Sequence, residues 1–287
     1  MAIICLNNEV SYEELKTIKP PHETETYVPI NHAEFVDTIL ERAEVVLPKR
    51  FKLDSVRHGI ESAKMPIPNT TDKITVEGAR LFGFAQFKDM DAKTDETRLS
   101  LGFRSSYDRT LRLALACGLN VNICNNGMLT GDVLSMRKHT KGVKDDLISV
   151  IDHALTNAPQ VYNKINEDIQ VLKDMPCDLI TGFSLLGVLN GMNVLTPSQT
   201  TKAQKELLKP SYSHEQGSLW FVYNACTEAL KKCPIADAMA RRLALHKCFL
   251  DYFTNNTSNA KLLDEKFAGH CGIGLDAWKY RGVKIEA

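Results

Sequence analysis

The sequence predicts an α+β protein, with an antiparallel β-rich N-terminal half that includes one short helix and a mainly helical C-terminal half. Two observations predict this. Apolar residues recur at period two through residues 74–123, and helical spacing with cap signals takes over after residue 145. A third observation bounds the answer: the 287 residues carry 44% hydrophobic and 24% charged side chains, ordinary globular values with no repeat or low-complexity tract.

The elements follow in order. Residues 1–30 read as an extended arm, kept open by Pro20, Pro21 and Pro29. A helix should start at Asn31, which can cap it, with Glu34 three residues on and Phe35, Val36, Ile39, Leu40 and Ala43 on one face; Pro48 stops it. Residues 49–72 are mixed, and Pro66, Pro68 and Asn69 argue against a long element there. Ile74 and Val76 open the alternating region. Arg80 to Phe87 reads as a strand buried on both faces, Lys88 to Glu96 as a turn, and Arg98 to Phe103 as a half-buried antiparallel strand. Leu111, Leu113, Ala114 and Leu115 suggest a short helix over Arg109–Cys117 that ends at Gly118. Leu119, Val121 and Ile123 alternate as another strand, and Asn126-Gly127 signals a turn. Residues 31–144 thus form an α+β core around an antiparallel sheet, with 145–287 a helical region packed on it.

In that region Asp145 caps a helix through Leu155, and another spans about 160–173. Asp178 caps an apolar helix expected to be buried, and Thr196-Pro197-Ser198-Gln199 is a capping-box start. Trp220 to Lys232 and Pro234 to Phe253 read as two more helices, and Lys261 to Phe267 as a short last one. The apolar stretch Leu179–Leu195 contains Thr181, Ser184, Asn190 and Asn193, too short and too polar to favour a membrane span. The opening residues lack a basic stretch and a long apolar stretch, so no secretory signal is read. The eight cysteines form no C-x-x-C pair, and reduced thiols in a cytosol are expected.

The 35 basic and 35 acidic residues balance, which excludes a uniformly basic nucleic-acid coat but not a local patch. From Arg98 to Lys144 there are eight basic residues against Asp108 and Asp132, an excess of six. Arg104, Arg109 and Arg112 precede the run Arg137-Lys138-His139-Thr140-Lys141-Gly142-Val143-Lys144. Such a run can hold phosphates at several points, or can be a solvated loop balanced by neighbouring acids. Phe103 and Tyr107 read either as core or as platforms for bases. Arg241, Arg242, His246 and Lys247 read as a solvated helix face. Asp108, His139 and His153 could serve acid–base chemistry, but their spacing does not require it, and no catalytic residue is assigned. Cys226, Cys233, His246, Cys248, His270 and Cys271 lack the paired spacing of a zinc site, and the glycines at 182, 187 and 191 lack the Lys-Ser/Thr of a phosphate loop. No metal and no cofactor are expected.

The segments Arg98-Leu-Ser-Leu-Gly-Phe-Arg-Ser-Ser-Tyr-Asp108, Leu111 to Gly118 and Val121-Asn-Ile-Cys-Asn-Asn-Gly-Met128 together resemble a family of phage- and plasmid-encoded proteins known only as a domain of unknown function. Its polar strand-end motif falls here on Ser105, Ser106, Tyr107 and Asp108, with Tyr107 in place of a His; its second motif falls on Asn125 and Asn126, where Ser-Asn is usual. Gly78–Gly83, Lys138–Thr140 and Trp220–Glu228 extend the resemblance over about residues 28–250. The strand and helix order is also similar to the core of single-strand annealing recombinases of the Erf and Red-beta types. That resemblance implies a single-stranded DNA or RNA partner held in a positive groove, and copies of the chain joined in rings or filaments. Arg104, Arg109, Arg112, Arg137, Lys138, His139, Lys141 and Lys144 would line the groove, with the motif polars Ser105, Ser106, Tyr107, Asp108, Asn125 and Asn126 beside it. The alternative is a protein-interaction factor that inhibits a host defence or replication component; the motif polars could equally cap the helix and bond turn backbones.

Overall fold

The computed structural model describes residues 8–66, 72–121, 126–212, 216–231, 233 and 235–253. The fold is α+β, and the chain divides after Asn166 into two compact units.

In the first unit, α1 (Tyr12–Thr17) and α2 (His32–Val46) precede five antiparallel strands, β1 (Phe51–Pro66), β2 (Lys73–Asp89), β3 (Thr97–Ser106), β4 (Leu113–Val121) and β5 (Asn126–Arg137). Their order in the sheet is their order in the chain, so the sheet is a simple meander. One face of β3 presents Leu99, Leu101, Phe103 and Ser105, all buried. On this face α2 packs Phe35 edge-on against Phe103 at 6.0 Å. The long helix α3 (Val143–Asp174) brings Ala154, whose carbonyl accepts from Cys117 Sγ at 3.1 Å, and Tyr162, edge-on to Phe51 at 5.5 Å. The two helices are joined to one another by a forked ion pair, Arg42 Nε and Nη2 to the two carboxylate oxygens of Asp152, each at 2.7 Å. The opposite face is buried too at Phe82, Phe84 and Ala116.

Asn31 caps α2 as expected: its side-chain oxygen accepts from the amides of Ala33 and Glu34. Four expectations are corrected. The arm is not wholly extended, because a capping box between Ser11 and Glu14 sets α1 within it. Residues 51–66 are a full strand despite their charge, with Val56, His58 and Ile60 paired to Ala85, Gly83 and Leu81. The helix expected over Arg109–Cys117 is instead β4: Leu113-Ala-Leu-Ala-Cys alternates between two buried faces, and Gly118 lies in the ladder opposite Ser100. Asn126 and Gly127 are not a turn but the start of β5, opposite Val121 and Asn120. In addition, β3 is buried on both faces rather than half-buried, since Arg98 and Ser100 are enclosed as well.

Helix α3 runs through Pro159, where a break between two helices is expected; the proline costs one backbone hydrogen bond but does not end the helix. The second unit holds α4 (Leu179–Gly191), α5 (Pro197–Leu208), α6 (Leu219–Leu230), α7 (Ile235–Lys247) and a π-helical segment (Cys248–Phe253). Asp178 caps α4 through the Thr181 amide. This helix is only half-buried: Leu185, Leu186 and Leu189 face inward, while Ile180 is 79% exposed. Gly182 allows close packing, since an added Cβ would sit 3.3 Å from Leu207 and Val222. No described helix is long and apolar enough to cross a membrane. The expected helix over 261–267 lies outside the described residues.

Thr196 and Gln199 form the capping box of α5: the Thr196 hydroxyl accepts from the Gln199 amide at 3.3 Å, and Gln199 Oε1 accepts from the Thr196 amide at 2.9 Å. Replacing Thr196 by Ala is expected to cost about 1 kcal/mol. Urea unfolding followed through the buried Trp220 checks this; an unchanged midpoint would show that the cap carries no stability.

Candidate nucleic-acid interface

The end of the sheet at which β3 stops, β4 starts and β5 stops gathers cations far apart in the chain. Arg104 lies opposite Phe82 and Ala114, near the end of β3. Leu113 is opposite Arg137, so Arg112 and Lys138 are the next residues out on adjacent strands. Arg109 stands in the β3–β4 connection, and Lys141 in the turn between β5 and α3.

The motif polars build this connection. Tyr107 donates its amide to the Ala79 carbonyl at 2.6 Å, and its ring lies fully buried on His32, stacked parallel at 3.9 Å. Its hydroxyl accepts from the His32 amide at 3.1 Å. The Ser106 hydroxyl closes the loop by accepting from the Leu111 amide at 3.0 Å and approaching its carbonyl at 3.1 Å. Asp108 accepts from the amide and hydroxyl of Thr110, and from Arg80 Nε at 2.7 Å. These donors outweigh its partial burial and hold its carboxyl below the ordinary range. The following residue, Arg109, takes φ of 64°, a left-handed conformation that this Asp-Arg-Thr turn holds in place. Its guanidinium sits 4.3 Å from the centre of the Tyr27 ring. Tyr27 is itself anchored, donating to the carbonyls of Ser106 and Tyr107 at 3.3 and 3.2 Å. Tyr27 escaped the sequence reading because nothing in the proline-rich arm ties it to residues 80 positions away.

The expected cations then separate by partner. Arg98 is 8% exposed and bound to Asp54 and Asp95 at 3.2 and 2.9 Å, so it belongs to the interior. Arg137 pairs with Asp146, and Lys144 with Glu23 at 2.6 Å. Arg104, Arg109, Arg112, Lys138 and Lys141 have no carboxylate partner among the described residues. Arg104 is half-buried, its Nε lacks a partner, and burial lowers its pKa.

His139 is not part of the cationic set. It is 7% exposed, with its Nε2 3.4 Å from the Ser105 hydroxyl and its ring tilted against Tyr27 at 5.8 Å. Burial holds its pKa below the ordinary value, so it is neutral at pH 7. Phe103 and Tyr107 are buried and offer no surface to a base. Ser105, Ser106 and Asp108 bond the turn and its neighbours, the structural alternative read for them. Asn125 lies outside the described residues, and Asn126 is placed only through its backbone in β5.

Asp108, His139 and His153 are each held by separate partners; His153 Nδ1 lies 3.0 Å from the Ser135 hydroxyl. In the second unit the solvated face expected for Arg242 and His246 is corrected: each is 4% exposed, because α7 turns these residues inward, where His246 lies 3.3 Å from Asp168 and edge-on to Tyr223. Arg241 instead donates to the carbonyls of Asn193 and Val194. Among the described residues, no group of three His, Cys, Asp or Glu side chains could hold a metal ion; His270 and Cys271 lie outside those residues.

Compared with known family models, with curated proteins and with solved structures, the chain finds no match in any of the three.

Proposed function

We propose that this protein binds single-stranded nucleic acid along the sugar-phosphate backbone at the basic end of its sheet, as a phage- or plasmid-encoded factor that assists annealing. One observation carries the reading: five cations, one from strand β3 and four from the β3–β4 and β5–α3 connections, converge at one sheet end with no carboxylate ion-paired to them among the described residues. Arg112, Lys138 and Lys141 are exposed, and Arg109 is braced on Tyr27. Cations left without internal partners release counterions when they meet phosphates, which is the main source of affinity for a polyanion. No aromatic platform among the expected residues is exposed, so the contact is to backbone rather than to bases, and bases left free can pair with a second strand. The mechanism needs no covalent step. Rings or filaments of the chain would align successive sites along one strand.

The test is fluorescence anisotropy with labelled single- and double-stranded oligonucleotides at two salt concentrations. Replacing Arg112, Lys138 and Lys141 together by Ala is expected to weaken single-strand binding by about two orders of magnitude at low salt, equally for all sequences, and to flatten the log–log salt slope by about 2. Arg137 is left in place because Asp146 already neutralises it. Unchanged affinity in the triple variant would overturn the assignment.

A further inference from the structure

Helix α4 carries no charged side chain, and apolar residues lie on every side of it. A helix of that kind is normally enclosed all round. Here only one face is enclosed, through Gly182, Leu185, Leu186 and Leu189. The opposite face is open. Ile180, Ser184, Gly187 and Gly191 recur at helical spacing as one exposed stripe, flanked by the half-buried Phe183 and Val188. Ile180 is 79% exposed, and Leu179 beside it 46%. Leu208, at the end of α5, is 65% exposed and extends the patch, since its neighbour Leu207 lies against Gly182. An uncharged apolar surface of this extent marks a contact with another molecule.

The face is complementary to itself. An antiparallel second copy centred between Leu185 and Leu186 sets Ile180 against the partner's Gly191, Phe183 against the partner's Val188 and Ser184 against the partner's Gly187, the larger side chain meeting the smaller each time. Each contact recurs with the roles exchanged, as a two-fold interface requires.

Charge agrees with this register. Asp178, exposed at the N-terminus of α4, comes level with the partner's Asn193. The carbonyls of Asn193 and Val194 accept from Arg241 at 3.3 and 3.1 Å, which fixes a guanidinium at that end of the helix. A carboxylate of one copy therefore stands near a guanidinium of the other at both ends of the pair, and the antiparallel helix dipoles add to the attraction. Neither Asp178 nor Arg241 has an ion-pair partner among the described residues.

Gly187 supports the same arrangement. Glycine weakens a helix interior, and no neighbouring element requires it here, because an added Cβ would meet nothing within 4 Å. A second backbone approaching the stripe does require it.

We propose that α4 is the contact between two copies of this chain, packed antiparallel about a two-fold axis through the middle of the helix. One helix pair is a small interface, so dimers form with rising concentration. The contact closes at two copies and needs no nucleic acid. Sedimentation velocity of the full chain alone, from low micromolar to about 100 µM, tests it: the mass should rise from that of one chain toward that of two. Ile180→Glu, which sets a carboxylate against the partner's apolar surface, should weaken association at least about tenfold. Gly187→Leu, whose side chain enters open space in the single chain, should abolish it. A chain that stays monomeric throughout overturns the proposal and leaves the face to another occupant. Association unchanged in Ile180→Glu or in Gly187→Leu, with the variant shown folded by circular dichroism, overturns it as well.

Discussion

Gly83→Ala is expected to destabilise the first unit by about 3 kcal/mol or more, while Gly102→Ala leaves it unchanged or slightly more stable. Both glycines lie inside strands, and both substitutions add one methyl group. At Gly83 that methyl would stand 2.4 Å from two ring carbons of Phe103 and 2.8 Å from the Arg57 carbonyl oxygen. The ring cannot swing away freely, because Phe35 of α2 abuts it edge-on, and the carbonyl belongs to the ladder between β1 and β2. At Gly102 the nearest atom is the Ala116 carbonyl oxygen at 3.8 Å, an ordinary contact. There the methyl group costs nothing in the folded state and restricts the unfolded chain. Hydrogen exchange of the strand amides in the two variants measures the difference. Equal protection in both would show that Phe103 does not close over Gly83.

Acid is expected to weaken the same unit steeply between pH 6.5 and 4. His32 is fully buried under Tyr107, with Nε2 3.1 Å from the Gly78 carbonyl and no partner at Nδ1. The neutral tautomer protonated at Nε2 satisfies that carbonyl; a second proton at Nδ1 would have no acceptor. Burial, with a smaller contribution from nearby His139 and against the Gly78 contact, lowers its pKa from 6.5 to about 4. The unfolded chain therefore takes up the proton first as pH falls, and the folded chain follows only near pH 4. Above pH 6.5 both states are neutral and His32 contributes no slope. Through the window below it, stability falls by about 3 kcal/mol, then levels off. His58 and His139, whose pKa values are also lowered by burial, add to the slope in the same direction. Urea titrations at pH 7.5, 6, 5 and 4 measure the slope, and His32→Gln, which keeps a donor for Gly78 but has no titrating group, should flatten it. An identical pH profile in that variant would sink the account.

Helix starts were legible because their chemistry is local. Asn31, Asp178 and Thr196 each cap the helix expected of them, through bonds spanning two or three residues. The strands of the N-terminal half were legible only where apolar and polar residues alternate. β4 misled because both of its faces are buried, so Leu-Ala-Leu-Ala lost its polar alternation and looked helical. β1 was hidden for the opposite reason: Asp54, Arg57 and Glu61 give the segment a charged composition, and their ion pairs to Arg98, Glu9 and Arg80 join residues distant in the chain. The basic segment was legible as composition, but its division into neutralised and unpaired members was not. Asp146 and Glu23 each neutralise one of its cations, and Glu23 lies 121 residues from Lys144.

The meander order of the strands has a consequence for how the chain acquires its shape. Each strand after the first pairs with the one made just before it, so every new ladder closes a short loop and none waits for a distant partner. A ribosome delivering this polypeptide could let the sheet zip up strand by strand during translation, each strand meeting its partner as soon as it emerges.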